Sequence, residues 1–413
     1  FVDKRGVLNV SETKMSQLLR QRNFQSEATG SLLAFTIPHL MFNLDGKVMF
    51  DWQRVSAGVN SLSDAFGSEQ KTWLLGAFVS PKILLHFGNR LQWLVYVPVG
   101  VKYYHSADGS LDYDKRFFST CPYSNLTYKP TGRLSFVLTT ICEESMPSVL
   151  SQMVLKHYVN YRTTMSNPHQ VEIAPNRSVK LAFTSSYKDI IKMLFGGVTL
   201  SYVDARNGNS MGYQVVDDVV NYIVQPQSTK KRVWQIEQTV AKGFFRWNSK
   251  ISESLSIGTS RSEYYVGGDC HDGRSDYLQA KISYVASVRK WLNLSISNDY
   301  SVSKPYTDGK ASGEVYRTFM NASSFTFWLG KQLNVVPSVQ YYHNNYFSSG
   351  RNNVFLNTVM EYYWGNATLS LKCTNLLDSR TFHRIIDNGI TRYSGEYQLR
   401  GRTILFGIRI KII

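Results

Sequence analysis

The sequence predicts an all-β fold: an antiparallel up-and-down transmembrane β-barrel of about 16–18 strands. Three observations predict it. Side-chain polarity alternates with a period of two along most of the chain. Tight turns and long polar connections take turns between the alternating segments. Aromatic doublets recur at the ends of those segments. A strand sends successive side chains to opposite faces, so repeated alternation means a sheet with one greasy face and one wet face. A membrane barrel turns the greasy face to lipid and keeps the wet face inside.

The alternation is plainest at the end of the chain, Arg402 to Ile413. Ile404, Phe406, Ile408, Ile410 and Ile412 share one parity; Thr403, Leu405, Gly407, Arg409 and Lys411 share the other. In 90–104, Leu91, Trp93, Val95, Val97, Val99, Val101 and Tyr103 oppose Arg90, Gln92, Gly100 and Lys102. In 46–57, Val48, Phe50 and Trp52 oppose Lys47, Asp51 and Gln53. Leu292, Leu294 and Ile296 oppose Asn293, Ser295, Ser297 and Asp299, and 366–375 repeats the pattern. A charge at the lipid midplane costs roughly 2–4 kcal/mol, so the charged parity belongs inside.

Very short turns are expected near Gly88-Asn89, Ser287–Lys290, Gly330–Gln332 and Trp364–Asn366. Long polar loops are expected near 105–130, 205–230, 262–276, 303–316, 344–352 and 376–396. Short turns at one end and long loops at the other are the wiring of an outer-membrane barrel. The alternation survives 144–176 only if that stretch hides a strand near 148–158. The doublets Tyr103-Tyr104, Tyr264-Tyr265, Tyr341-Tyr342 and Tyr362-Tyr363-Trp364 fit interfacial aromatic girdles. Pro98 and Pro337 fall inside expected strands, where each removes a ladder donor and suggests a bulge or a shift of register.

Composition agrees. Only 18% of the 413 residues are charged, while 14% are aromatic, with 26 Tyr and 8 Trp. Mean hydropathy is −0.24, which half-apolar strands would produce. No stretch approaches the ~18 consecutive apolar residues of a spanning helix. The net charge of +16 comes from basic residues scattered singly. The one dense run, Thr229-Lys230-Lys231-Arg232, is expected in a loop, so a basic wet surface fits better than nucleic-acid binding. Cys121, Cys142, Cys270 and Cys373 form no metal or disulfide framework. The chain opens on Phe1 with no signal peptide and reads as a processed form or fragment.

Chemical motifs are few. Gly208-Asn209-Ser210-Met211-Gly212 spells G-x-S-x-G, but a nucleophile elbow needs a helix after the serine, and Tyr213-Gln214-Val215-Val216 is not one. Ser210 is therefore expected in a loop. No histidine sits in H-E-x-x-H. Asp269, Cys270, His271 and Asp272 crowd one short segment, too few well-spaced ligands for a metal site. The sequons at Asn9, Asn125, Asn176, Asn293, Asn321 and Asn366 read as polar lining produced by the period of two. No catalytic residue, metal site or cofactor is expected. By parity the lumen-facing candidates are Lys102, Lys281, Asp299, Lys372, Arg409 and Lys411; no substrate-binding residue can be singled out.

Four stretches carry a resemblance. They are Met146-Pro147-Ser148-Val149-Leu150-Ser151-Gln152, then Ser166-Asn167-Pro168 with Ile173-Ala174-Pro175-Asn176-Arg177-Ser178, then Asn375-Leu376-Leu377-Asp378, then Tyr397 to Leu405. In this order they resemble the C-terminal barrel of TonB-dependent outer-membrane receptors, in the Bacteroidota branch called the outer membrane protein β-barrel family. The family pattern has Gly where Ser166 stands, a Leu-Lys-Pro-Glu core where Ile-Ala-Pro-Asn stands, and a terminal aromatic where Ile413 stands. Its barrel has 22 strands, of which this chain, 1–413, would be the C-terminal portion; no plug domain or TonB box is found. The resemblance implies a bacterial outer-membrane location and a role as the wall and ligand-selecting loops of a nutrient importer. It implies as partners outer-membrane lipid, TonB through upstream regions, a surface lipoprotein, and a small-molecule, glycan or peptide ligand. The alternatives are a non-energised pore, a structural or assembly scaffold barrel, an outer-membrane enzyme relying on Ser210 or the Asp269–Asp272 segment, and a soluble β-sandwich array.

Overall fold

A computed structural model describes residues 16–60, 65–107, 112–153, 157–160, 163–167, 171, 173–216, 219–346, 351–387 and 392–411. Asn9, Pro168, His169, Ile412 and Ile413 lie outside the described residues. The wall runs through β1 (Ser16–Ile37), β2 (Leu40–Asn60), β3 (Ala65–Phe87) and a two-part β4 (Leu91–Tyr96, Val99–Ala107). It continues through a two-part β5 (Asp112–Thr120, Tyr123–Tyr128), β6 (Leu134–Ser145), β7 (Asn176–Asp189), β8 (Leu194–Asn207), β9 (Thr229–Phe244) and β10 (Ser249–Val266). Then come β11 (Asp269–Arg289), β12 (Leu292–Thr307), β13 (Tyr316–Leu329), β14 (Leu333–Asn344), β15 (Asn352–Trp364), β16 (Ala367–Thr374) and β17 (Thr403–Ile410). Each pairs antiparallel with the next, giving seventeen wall strands in one sheet among the described residues. Among the described residues no ladder joins β17 to β1.

The outward face is the apolar parity. On β3, Leu75, Val79, Ile83 and Phe87 are exposed, while Gln70, Thr72 and Ser80 on the opposite parity are buried. On β17, Ile404, Phe406, Ile408 and Ile410 are each more than 60% exposed. Water would penalise such a surface heavily; lipid does not. A ring of exposed aromatics, Phe244, Trp247, Trp291 and Trp364, marks the edge of this band at one end.

That end carries only short turns, at 38–39, 88–90, 129–133, 190–193, 245–248, 290–291, 330–332 and 365–366. Glycines with positive φ sit at three of them, Gly88, Gly330 and Gly365. The four short turns expected from sequence are there. The opposite end differs from expectation. The stretch 262–276 is no loop: β10 and β11 run on as a hairpin turning at Gly267-Gly268, both with positive φ. β12 likewise runs on to Thr307. Inserts at 208–228 and 375–402 contain hairpins of their own, Ser210–Val216 with Val219–Gln225 and Thr381–Asp387 with Arg392–Gln398. Lys230, Lys231 and Arg232 begin a wall strand instead of lying in a loop.

The expected strand near 148–158 is not in the wall, because β6 pairs directly with β7, Ser145 opposite Asn176. The strand that restores the alternation is β5. It was hidden by its charges, Asp112, Asp114, Lys115 and Arg116, and by the break at Pro122. Pro98 and Pro337 interrupt ladders without shifting them. Val79 opposite Val99 and Lys82 opposite Tyr96 keep one register, as do Ser324 opposite Ser338 and Phe327 opposite Val335. The aromatic doublets split across the wall. Tyr103 faces outward beside Trp73, ring centroids 5.0 Å apart, while Tyr104 is buried on the inner face. Asn125 sits on the inner face, hydrogen-bonded to Thr139. Asn321 is an exception to the lining reading: it shares the outward parity of Phe325 and donates to Asn298 at 2.7 Å, which satisfies both amides locally.

Phe183 lies at the middle of the outward band on β7. Phe183→Arg is expected to destabilise the protein by roughly 2–4 kcal/mol, while Ser254→Arg on the inner face of β10 costs little. Urea unfolding in lipid bilayers measures both.

Candidate functional site

At the insert end the chain between β6 and β7 folds against the inner face of the wall. A short helical turn, Val149–Gln152, places Val149 and Met153 on Val55 of β2, and all three are buried. Gln152 is the polar anchor. Its Oε1 accepts from the Tyr104 hydroxyl and from Ser106 Oγ at 3.3 Å, and its Nε2 donates to the Pro147 carbonyl at 3.2 Å. Gln70 Nε2 extends the network to Ser106 Oγ at 2.7 Å. Tyr104 is buried, and its hydroxyl donates to Gln152.

The next stretch returns to the wall through side chains that replace missing ladder bonds. Asn167 accepts from the Val171 amide at 2.9 Å and its own amide donates to the Met153 carbonyl at 2.8 Å. Asn176 Oδ1 accepts from the Gly208 amide, and Asn209 Oδ1 from the Ala174 amide. A Cβ at Gly208 would stand 2.4 Å from the Ala174 carbonyl oxygen, so only glycine fits there. The strand Thr163–Ser166 then pairs in parallel with 220–223 of the neighbouring hairpin. Inward-folded segment and hairpin thus form one layer at the mouth.

Between them lies a cavity of about 370 Å³, lined among others by Ser148, Gln152, Asn207, Ser210 and Tyr264. Ser210 is buried and opens a strand, not the loop expected from G-x-S-x-G. Its Oγ has no partner among the described residues. The lining mixes neutral polar side chains with Pro147, Ile173, Met211 and Val224, and its one charged residue is Glu263, whose Oε2 accepts the Lys230 amide. Such a surface can hydrogen-bond an uncharged hydroxyl or amide group without desolvating a free charge. The segment 269–272 is turned to partners within the protein: Asp272 to Arg261 at 2.6 Å and His271 to Asp308 at 2.8 Å.

The six charged residues singled out by parity do not converge. Lys102 is buried and binds Glu144 at 2.9 Å, which also holds Arg177 at 2.8 Å. Lys281 and Asp299 face each other across β11 and β12. Lys372 and Arg409 share one face of β16 and β17, opposite Leu405 and Thr368 respectively, and Lys411 is exposed at the turn end. Sequence reasoning missed Tyr104, Ser106 and Gln152 as a unit, although Gln152 closes one of the four quoted stretches.

A second stretch has the same architectural role. The Asn375 side chain donates to the Ser379 and Arg400 carbonyls at 2.8 and 3.0 Å, and accepts from the Ser379 amide. Asp378 accepts from Arg380 and from the Arg402 amide. A Cβ at Gly401 would meet Asp378 Oδ1 at 2.7 Å. Asn375 to Asp378 therefore clasps both ends of the 375–402 insert where β17 begins.

Comparison with known proteins gives the fold. No family model and no curated protein matches the chain. Among solved structures it is similar to the ferric yersiniabactin uptake receptor FyuA from Yersinia pestis, at 12% identity and a TM-score of 0.44, over 96% of this chain and 62% of that one. It is similar to the copper transporter OprC at 10% identity and a TM-score of 0.51, over 96% of this chain and 66% of that one. It is also similar to OmpT, an outer membrane protein of Vibrio cholerae, at 10% identity and a TM-score of 0.31, over 86% of this chain and 100% of that one. The chain spans less than two thirds of the length of the first two. The fold is that of outer-membrane β-barrels, and the chain is a wall of the bacterial outer membrane.

Two outcomes test the mouth. Tyr104→Phe removes a buried donor to Gln152 and is expected to cost about 1 kcal/mol, read as faster amide hydrogen exchange in 147–153. The second concerns the clasp. The Arg380 guanidinium, then the Arg402 amide, holds the Asp378 carboxyl below its ordinary 3.8. A depressed carboxyl stabilises the fold above its unfolded value and loses that contribution as pH falls through the folded one. Protection of the 399–402 amides, relative to their unstructured exchange rate, is expected to stay high above about pH 4 and to fall below that range, and Asp378→Asn should flatten that profile.

Proposed function

We propose that residues 1–413 are the C-terminal barrel domain of a TonB-dependent receptor-like importer of the Bacteroidota outer membrane protein β-barrel type. The observation that carries the reading is the strand count. With seventeen wall strands among the described residues and every neighbour antiparallel, β1 and β17 run in the same direction. A direct β1–β17 ladder would be parallel. Antiparallel closure therefore requires an odd number of further strands, and lipid does not tolerate two unpaired sheet edges. The four sequence stretches support the same family. Three of them supply side chains that bond the inserts at the mouth: Gln152, Asn167 with Asn176, and Asn375 with Asp378.

In this reading the wall and its inserts select the ligand, and upstream regions gate and energise its passage. The cavity beside Ser210, with Glu263 its one charged lining residue, is where a ligand bearing hydroxyl or amide groups would first be held. Lys281, Asp299, Lys372, Arg409 and Lys411 line the lumen, and Lys102 braces the wall through Glu144. A surface lipoprotein would meet the insert end, and TonB the opposite side through the upstream part.

The intact mass of the protein extracted from its native outer membrane tests this. A mass well above 47.2 kDa, with extra sequence on the N-terminal side of Phe1, is expected. A mature species of 47.2 kDa would overturn the importer reading and leave a pore or scaffold closed by a partner.

A further inference from the structure

The wall has a seam at β5. Its first part, Asp112–Thr120, pairs with Val99–Ala107 of β4, but only its second part, Tyr123–Tyr128, pairs with β6. Pro122 in β5 and Pro98 beside it in β4 have no amide to give, so the ladder is short of donors on both sides of the break. Side chains stitch the insert side of the seam. The Arg177 guanidinium donates to the Phe118 carbonyl at 3.3 Å, across the gap from β7 to β5. Glu144 of β6 holds Arg177 at 2.8 Å and Lys102 of β4 at 2.9 Å.

Two cysteines stand at the apex of this seam. The last ladder pair of β5 with β6 is Tyr123 opposite Ile141. One residue further, the Cys142 amide donates to the Pro122 carbonyl at 3.1 Å. Hydrogen-bonded strand partners stand about 5.5 Å apart at Cα, inside the span that a disulfide bridges. Cys121 adjoins that partner position, and its thiol already interacts side chain to side chain with the Cys142 thiol. The Cys142 Sγ lies 3.9 Å from the Thr120 carbonyl, so it leans towards the Cys121 strand. Both residues are half-buried thiols in the structure. Cys270 and Cys373 are placed elsewhere, opposite Tyr265 and Ile404. The 21-residue spacing in the chain gave no sign of the pair, because a strand break brings the two side chains together.

We propose that Cys121 and Cys142 are joined by a disulfide in the mature protein, supplied by a protein thiol–disulfide oxidant of the periplasm. An outer-membrane chain crosses that oxidising compartment before it reaches lipid. The chemistry is two exchanges. One cysteine thiolate attacks the oxidant's disulfide, forms a mixed disulfide and releases one oxidant sulfur, which takes up the proton lost. The second cysteine thiolate then attacks the first cysteine's sulfur, closes the Cys121–Cys142 bond and releases the other oxidant sulfur. The pair gives up two electrons and two protons, and the oxidant leaves as a dithiol. The bond staples β5 to β6 where proline has removed the ladder, and Glu144 with Arg177 holds the seam beyond it. The site depends on the outer-membrane fold and not on the importer reading, so either can fail alone.

Thiol labelling of the protein extracted from its native outer membrane tests the proposal. N-ethylmaleimide is present from lysis, and the protein is then denatured without reductant. Residues 1–413 hold four cysteines, so with the pair bridged Cys270 and Cys373 are expected to take the label. After reduction Cys121 and Cys142 are expected to take it too. A proteolytic digest made without reductant should contain one linked species joining the Cys121 and Cys142 peptides. Cys121→Ser and Cys142→Ser are each expected to fold, checked by heat-modifiable migration, and to unfold at a lower temperature than the unaltered protein. Dithiothreitol should bring the unaltered protein down to the same temperature and leave both variants where they are. Labelling of Cys121 and Cys142 without reductant would overturn the proposal. So would a bridge from either of them to Cys270 or Cys373, or a midpoint that dithiothreitol leaves unchanged in the unaltered protein.

Discussion

Everything in this molecule depends on one constraint: in lipid a backbone amide or carbonyl has no water to bond. Each unpaired group in hydrocarbon costs several kcal/mol, so the chain must pair every strand with a neighbour. The continuous antiparallel pairing of neighbours from β1 to β17 is the response. Where proline removes a donor, at Pro98 and Pro337, the register carries on unchanged on both sides. A shift of one residue would put the greasy face inward along the whole strand. The same constraint makes the two outer edges the most informative part of the sheet, because they cannot remain as they are in a membrane.

Given the ladder, side-chain alternation decides what each face does. Outward residues are chosen by depth: aromatics at the turn end, aliphatics across the middle, then Tyr202 and Trp234, then Arg232, Arg261 and Arg274. Inward residues face water or the inserts and can be charged at little cost. Glu144 departs from this division. It is almost fully buried between Lys102 and Arg177, an arrangement in which each charge depends on the others being present.

The mouth follows a different rule. Its inserts cannot rely on long ladders, so amide side chains stand in for backbone partners. Gln152, Asn167, Asn176 and Asn375 each bond main-chain groups that turns leave open. This explains physically why the quoted stretches are rich in Asn and Pro. They close turns and seat inserts, and the cavity beside Ser210 is a consequence of how the inserts meet.

By itself the sequence determined the fold class, the outward face and the short-turn end, because a period of two and glycine-bearing turns are local signals that need no partner. It also brought the strand number close, through the regular spacing of those signals. It could not show β5, whose charges and Pro122 mask the alternation, nor that 262–276 is a hairpin carried beyond the membrane. It did not show that Gln152 meets Tyr104 or that Lys102 meets Glu144, since those pairs are far apart in the chain. Only the tertiary structure decided which side chains share a cross-strand row, because register is set by pairing between strands and not by any one of them.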